Sequence, residues 1–137
     1  MVRESTAHVP HIQKPSDVIE AIIPIWGKSD REVFIVVSLD ANNKAVAIEQ
    51  AFMGTLASVH IGMRDIFKSA ILSNAFSIIV AHNHPSGNVK PSSDDISITK
   101  RIVSGGRILN IPLLDHVIFS YNKEHCSLHE EYPEAWS

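Results

Sequence analysis

Apolar residues first gather at Val18, Ile19, Ile22 and Ile23, spaced three and four apart, which predicts a helix. Pro15-Ser16-Asp17 supplies its N-cap; Pro24 is expected to bend or stop it, and Gly27 is a second stop. Residues 1–13 carry no period and are expected to be loosely ordered. Residues 33–39 (VFIVVSL) read as a buried strand, Asp40-Ala41-Asn42-Asn43-Lys44 has turn chemistry, and residues 45–52 return as a second strand carrying Glu49. Gly54-Thr55 breaks that strand. Residues 64–72 place Ile66, Phe67, Ala70 and Ile71 on one side of an amphipathic helix. The apolar run Ser77-Ile78-Ile79-Val80-Ala81 suits an interior strand and leads into a polar loop, HNHPSGNVKPSS. Residues 94–103 have helical spacing, with Gly105-Gly106 as a C-terminal stop. Residues 112–121 (PLLDHVIFSY) read as a strand, and 123–129 as a further edge strand. Alternating strands and helices predict an α/β fold, a mixed sheet flanked by helices.

The 137 residues suit a single domain over 14–137. No apolar run approaches the roughly 18 residues of a bilayer span, and the N-terminus lacks the apolar core of a secretory signal. The expectation is therefore a cytoplasmic protein with no membrane partner. A single cysteine, Cys126, excludes an intramolecular disulfide and a thiolate-rich zinc site, so any metal must be held by histidines and carboxylates. The net charge of -3 and the scattered lysines and arginines show no basic stripe of the kind that marks nucleic-acid binding.

Candidate chemistry concentrates in His82-Asn83-His84-Pro85-Ser86-Gly87 and the following Pro91-Ser92-Ser93-Asp94-Asp95. Two histidines one residue apart on extended backbone point to the same side, with Cα atoms about 6–7 Å apart. Pro85 favours extended geometry at His84. Ser92-x-x-Asp95 has the spacing of a helix N-cap and its third residue, where the helix dipole keeps a carboxylate ionised, as a zinc ligand must be. Two histidines, one carboxylate and an open position suit a catalytic zinc site, with one Zn2+ per chain.

HNHPSG followed by P-S-x-x-D resembles the JAMM metalloprotease signature, and more closely the RadC family of JAB/MPN-like domains. FKSAILSNA, FMGTL and LLDHVIF extend the likeness over roughly residues 14 to 129. The resemblance implies a cytidine deaminase-like fold, with His82, His84 and Asp95 as metal ligands. It matches Glu49, five residues before Gly54-Thr55, to the glutamate of the first strand pair, and Ser92 to the serine that helps hold the oxyanion. Longer relatives carry an N-terminal helix-hairpin-helix region; this chain resembles the short, stand-alone form. SYNKEHCSLHEEYPEAW matches the usual ending only loosely.

The implied reaction is amide hydrolysis of a peptide or protein substrate by a metallopeptidase or isopeptidase, with a metal-bound water activated by Glu49. The alternative is a non-catalytic protein-binding or DNA-repair-associated module that keeps the metal. The DNA association comes from the family's label alone. A zinc deaminase is excluded, because that chemistry uses His-x-Glu and Pro-Cys-x-x-Cys. Asp115-His116 on an apolar strand reads as hydrogen-bonded core, with His116 structural or supporting a ligand. His125, Cys126 and His129 lack any partner at a diagnostic spacing. The residues leave the oligomeric state open.

Overall fold

The computed structural model describes residues 9–54 and 61–137. β1 (Glu32–Leu39) and β2 (Ala45–Gly54) form the expected antiparallel hairpin. Its turn is held by Asp40, whose Oδ1 accepts the backbone N–H groups of Asn42 (2.8 Å) and Lys44 (2.9 Å). Asn43 takes the left-handed conformation (φ 60°) that asparagine tolerates better than most residues. On the other side of β1 lies β3 (Ser77–Asn83), antiparallel to it. β4 (Leu113–Phe119) runs parallel to β3, and β5 (His125–Ser127) pairs antiparallel at the edge, giving the order β2-β1-β3-β4-β5. The fold is thus α/β with a mixed sheet.

Both sheet faces are covered, which explains why β1 reads as a continuous apolar run. Val33, Ile35 and Val37 pack with Val18, Ile19 and Ile22 of α1 (Pro15–Trp26). Phe34 and Val36 point the other way, toward Ile66 and Phe67 of α2 (Met63–Leu72) and Ile98 and Ile102 of α3 (Ser93–Leu109). Glu32 shares the parity of Phe34, so β1 aims it at the α2/α3 side. Among the described residues no helix is long and apolar enough to cross a membrane.

Several boundaries differ from the expectations. Residues 10–12 belong to the fold: Ile12 is buried, its N–H donates to Asn43 O (2.8 Å), and Ala45 N donates to Pro10 O (2.9 Å). Residues 1–8 lie outside the described residues. Lys14 is the N-cap of α1, with Pro15 at the first helical position; Asp17 reaches back to accept from the N–H groups of Gln13 and Lys14. α1 runs through Pro24 to Trp26, because Pro24 and the residue four before it, Glu20, both lie on the exposed side where water can replace the missing bond. The predicted edge strand over 123–129 shrinks to β5, because Ser127 caps a short helix, α4 (Leu128–Glu131), through a bond from Glu130 N. A 3-10 turn (Pro133–Trp136) follows and anchors Trp136 Nε1 on Leu113 O (2.8 Å).

Gly105-Gly106 does not stop α3, which continues to Leu109 and ends at Asn110 in the left-handed conformation (φ 57°). Gly106 answers a different demand. A Cβ there would stand 2.5 Å from the Ile111 carbonyl oxygen, where the chain doubles back toward β4. Gly106→Ala is therefore expected to lower unfolding free energy by about 1–3 kcal/mol, the usual range for overpacking, despite alanine's better helix propensity. Urea denaturation followed by circular dichroism measures it; a Gly106→Ala protein as stable as the parent would refute the close approach.

Candidate metal centre

The carboxyl end of β3, the amino end of α3 and the start of β1 meet at one edge of the sheet. Strand alternation places His82 and His84 on the α2/α3 side, with Nε2 atoms 3.2 Å apart. Asp95 arrives from the first turn of α3: its Oδ1 lies 2.9 Å from His82 Nε2 and its Oδ2 3.0 Å from His84 Nε2. Local chemistry fixes that carboxylate. Ser92 N donates to Asp95 Oδ2 (2.7 Å) and Asp95 N donates to Ser92 Oγ (3.2 Å), a reciprocal helix cap.

β1 brings a fourth group. It runs antiparallel to β3 with Phe34 opposite His82, so continuing the register sets Glu32 opposite His84. One ligand atom each of Glu32, His82 and His84 lie within 4.8 Å of one another, a group that can hold a metal ion. The backbone on both sides of Glu32 is clamped by Asn83. Val33 N donates to Asn83 Oδ1 (2.7 Å) and Asn83 Nδ2 donates to Arg31 O (3.0 Å), so the residue between the two histidines holds the strand that carries the glutamate.

Glu49 is not brought to this cluster. It pairs with Val36, one strand further out and two residues further along than the Phe34–His82 pair. That separation is on the order of 12 Å between Cα atoms, and Phe52 stacks on Phe34 on the site side (5.8 Å between ring centroids). Glu32, not Glu49, is the glutamate that stands with the two histidines, because β1 and β3 are antiparallel. Thr55 and Leu56 of FMGTL lie outside the described residues. A carboxylate opening a strand that is otherwise buried throughout, EVFIVVSL, was the available signal; its proximity to β3 is a matter of sheet order, which no local pattern carries.

The donor set fits a cation. Donors 2.0–2.1 Å from one tetrahedral zinc lie about 3.3 Å apart, close to the separations among His82, His84 and Asp95. His84 Nδ1 sits 2.7 Å from Asn88 O, and a carbonyl can only accept, so this nitrogen carries the proton and the neutral ring has a bare Nε2. Asp95 Oδ1 is buried and has no hydrogen-bond partner among the described residues, although His82 Nε2 is 2.9 Å away. Acceptors thus converge on one point, an arrangement that a cation relieves. Without it, protons carry the load: the Asp95 contact raises the pKa of His84. Burial alone would raise the Asp95 carboxyl, but the imidazoles of His82 and His84 hold it well below the usual carboxylate range.

Behind His82 stands a wall without solvent. Phe34 stacks on the His82 ring (5.8 Å, 16°), and His82 Nδ1 lies 2.7 Å from Nε2 of His116, which is completely buried. Burial drives the pKa of His116 well below its ordinary value. Asp115 serves the fold: it accepts from Ser127 Oγ (2.6 Å) and from the backbone N–H groups of His116 and His129, joining β4 to α4. His129 packs edge-on against Trp136, and neither His125 nor Cys126 joins the cluster.

Fold and site together define an α/β domain with a group of side chains at strand ends that could hold a metal ion. Residues 12–133 match the RadC-like JAB domain, and the chain belongs to that family. It is similar to the UPF0758 protein of Clostridium perfringens, 42% identical over 112 residues that cover 82% of this chain and 49% of that protein. The UPF0758 proteins of Desulfitobacterium hafniense (43% identical, covering 83% and 50%) and Methanosarcina mazei (38%, covering 78% and 47%) are similar too. The chain spans about half the length of these curated relatives.

Proposed function

We propose that this domain is a zinc-dependent hydrolase of amide bonds, of the metallopeptidase or isopeptidase type. The observation that carries the reading is the convergence of His82, His84 and Asp95, with the Glu32 carboxylate beside the two histidines. His82, His84 and Asp95 would hold the zinc ion, which when bound would supply a Lewis acid for a carbonyl and acidify water near neutral pH.

The chain's own residues perform the proton work. Glu32, beside the two histidines, takes the role of accepting a proton from the attacking water and returning it to the leaving amine. Ser92 Oγ uses a lone pair in capping Asp95 N, which leaves its O–H to donate to the oxygen that gains charge. Phe34 and the buried His116 close the inner side of the cluster, so substrate approaches from the His84 side, the more exposed of the two imidazoles.

The test joins metal content to turnover. Purified chain, analysed by elemental mass spectrometry, is expected to hold about one zinc, and a peptide and isopeptide library is expected to be cleaved with zinc and spared after chelation. Zinc binding without cleavage of any member would favour a non-catalytic binding module, and salt-dependent retention on DNA would make nucleic acid its partner.

A further inference from the structure

We propose that Thr99 and His116 are positioning residues that lock His82 in the tautomer with a bare Nε2, reserving that lone pair for the metal. The inference rests on the metal-site reading above and adds the device that prepares one ligand.

The argument follows one proton at a time. Thr99 Oγ1 lies 2.6 Å from Asp95 O and 2.6 Å from His116 Nδ1. A hydroxyl has a single proton, and two oxygens at 2.6 Å repel unless that proton lies between them, so Thr99 donates to Asp95 O. Thr99 must then accept from His116, which fixes the His116 proton on Nδ1. A completely buried imidazole between a hydroxyl and another imidazole stays neutral, so its Nε2 is an acceptor. His82 Nδ1, 2.7 Å away, therefore donates to it, and His82 Nε2 is left without a proton.

Asp95 Oδ1 lies 2.9 Å from His82 Nε2, so the bare nitrogen and the carboxylate border the same point. The relay also closes on itself. It begins at the backbone carbonyl of Asp95 and returns, through Thr99, His116 and His82, to the space in front of the Asp95 carboxylate. α3 and β4 are thereby coupled to the protonation pattern of β3.

The experiment uses the full chain and two readouts. Long-range proton–nitrogen NMR, at a pH where the imidazoles are neutral, reports which nitrogen of His82 carries the proton in the metal-free protein. Competition with a chromophoric chelator gives zinc affinity. The expected result is a proton on Nδ1 of His82 in the parent. Thr99→Val is expected to move it to Nε2 and weaken zinc by about 10–100-fold, and Thr99→Ser to restore both. A parent with the His82 proton on Nε2 overturns the proposal, as does a folded Thr99→Val protein with parental zinc affinity. Should Thr99→Val not fold, the parent's nitrogen shifts still decide. A parent that binds no zinc overturns the metal reading, whereas the shifts test the relay separately.

Discussion

Glu32→Gln is expected to keep its zinc and to cleave any substrate of the parent about 10²–10⁴-fold more slowly, the usual worth of a positioned acid–base group. Glu49→Gln is expected to cleave at close to the parental rate. The amide preserves the size of the side chain and can still accept a hydrogen bond, but it cannot take up a proton at neutral pH. Zinc should remain because His82, His84 and Asp95 are untouched. The pair of variants separates two readings with one assay. Loss of turnover in Glu49→Gln with full activity in Glu32→Gln would return the proton-transfer role to the outer strand, against the register that pairs Glu49 with Val36. Loss in both would point to damage that is not specific to either carboxylate, and metal content with circular dichroism would expose it.

Asp95→Asn is expected to weaken zinc by more than the roughly 10–100-fold that loss of an outer partner costs, while leaving the helix in place. The amide oxygen can take over the bond from Ser92 N, now accepted by Asp95 Oδ2 at 2.7 Å. Its NH₂ group is then turned toward His82 Nε2 and fills the point of convergence with donor protons. The negative charge that offsets a divalent cation is lost as well. Thermal unfolding reads the result directly. Free zinc at a thousandfold excess over Kd stabilises a binding protein by about 4 kcal/mol, a rise on the order of 10 °C for a domain of this size. The parent should show that rise and Asp95→Asn should not. An equal rise in both would remove Asp95 from the ligand set.

Much of the fold was legible because its elements obey local rules. The hairpin follows from a buried run, an Asp-Ala-Asn-Asn turn and a second run. His82 and His84 face one way because side chains alternate along a strand, and Ser92 and Asp95 announce a cap by spacing alone. What local pattern misses is contact between distant segments. Gly105-Gly106 looks like a stop, yet Gly106 is there because the Ile111 carbonyl passes 2.5 Å from where a Cβ would stand. Ile12 sits in a polar stretch without period, but it covers the sheet beside Val18. Glu32 and Glu49 are equally plausible as isolated residues; only the order of strands, with β1 between β2 and β3, brings one to the histidines and leaves the other away. His116 reads as apolar-strand core, and its buried contact with His82 depends on parallel pairing across α3.

The clamp made by Asn83 has a mechanical consequence. His82 and His84 project to one side of β3, and the side chain between them grips the backbone flanking Glu32. The two imidazoles and the glutamate are therefore tied together through adjacent strands. Asp95 is carried by α3 instead. A displacement of the helix would move the aspartate relative to the other three while leaving the spacing of glutamate and histidines intact. The carboxylate on α3 and the three side chains on the strands thus rest on different supports.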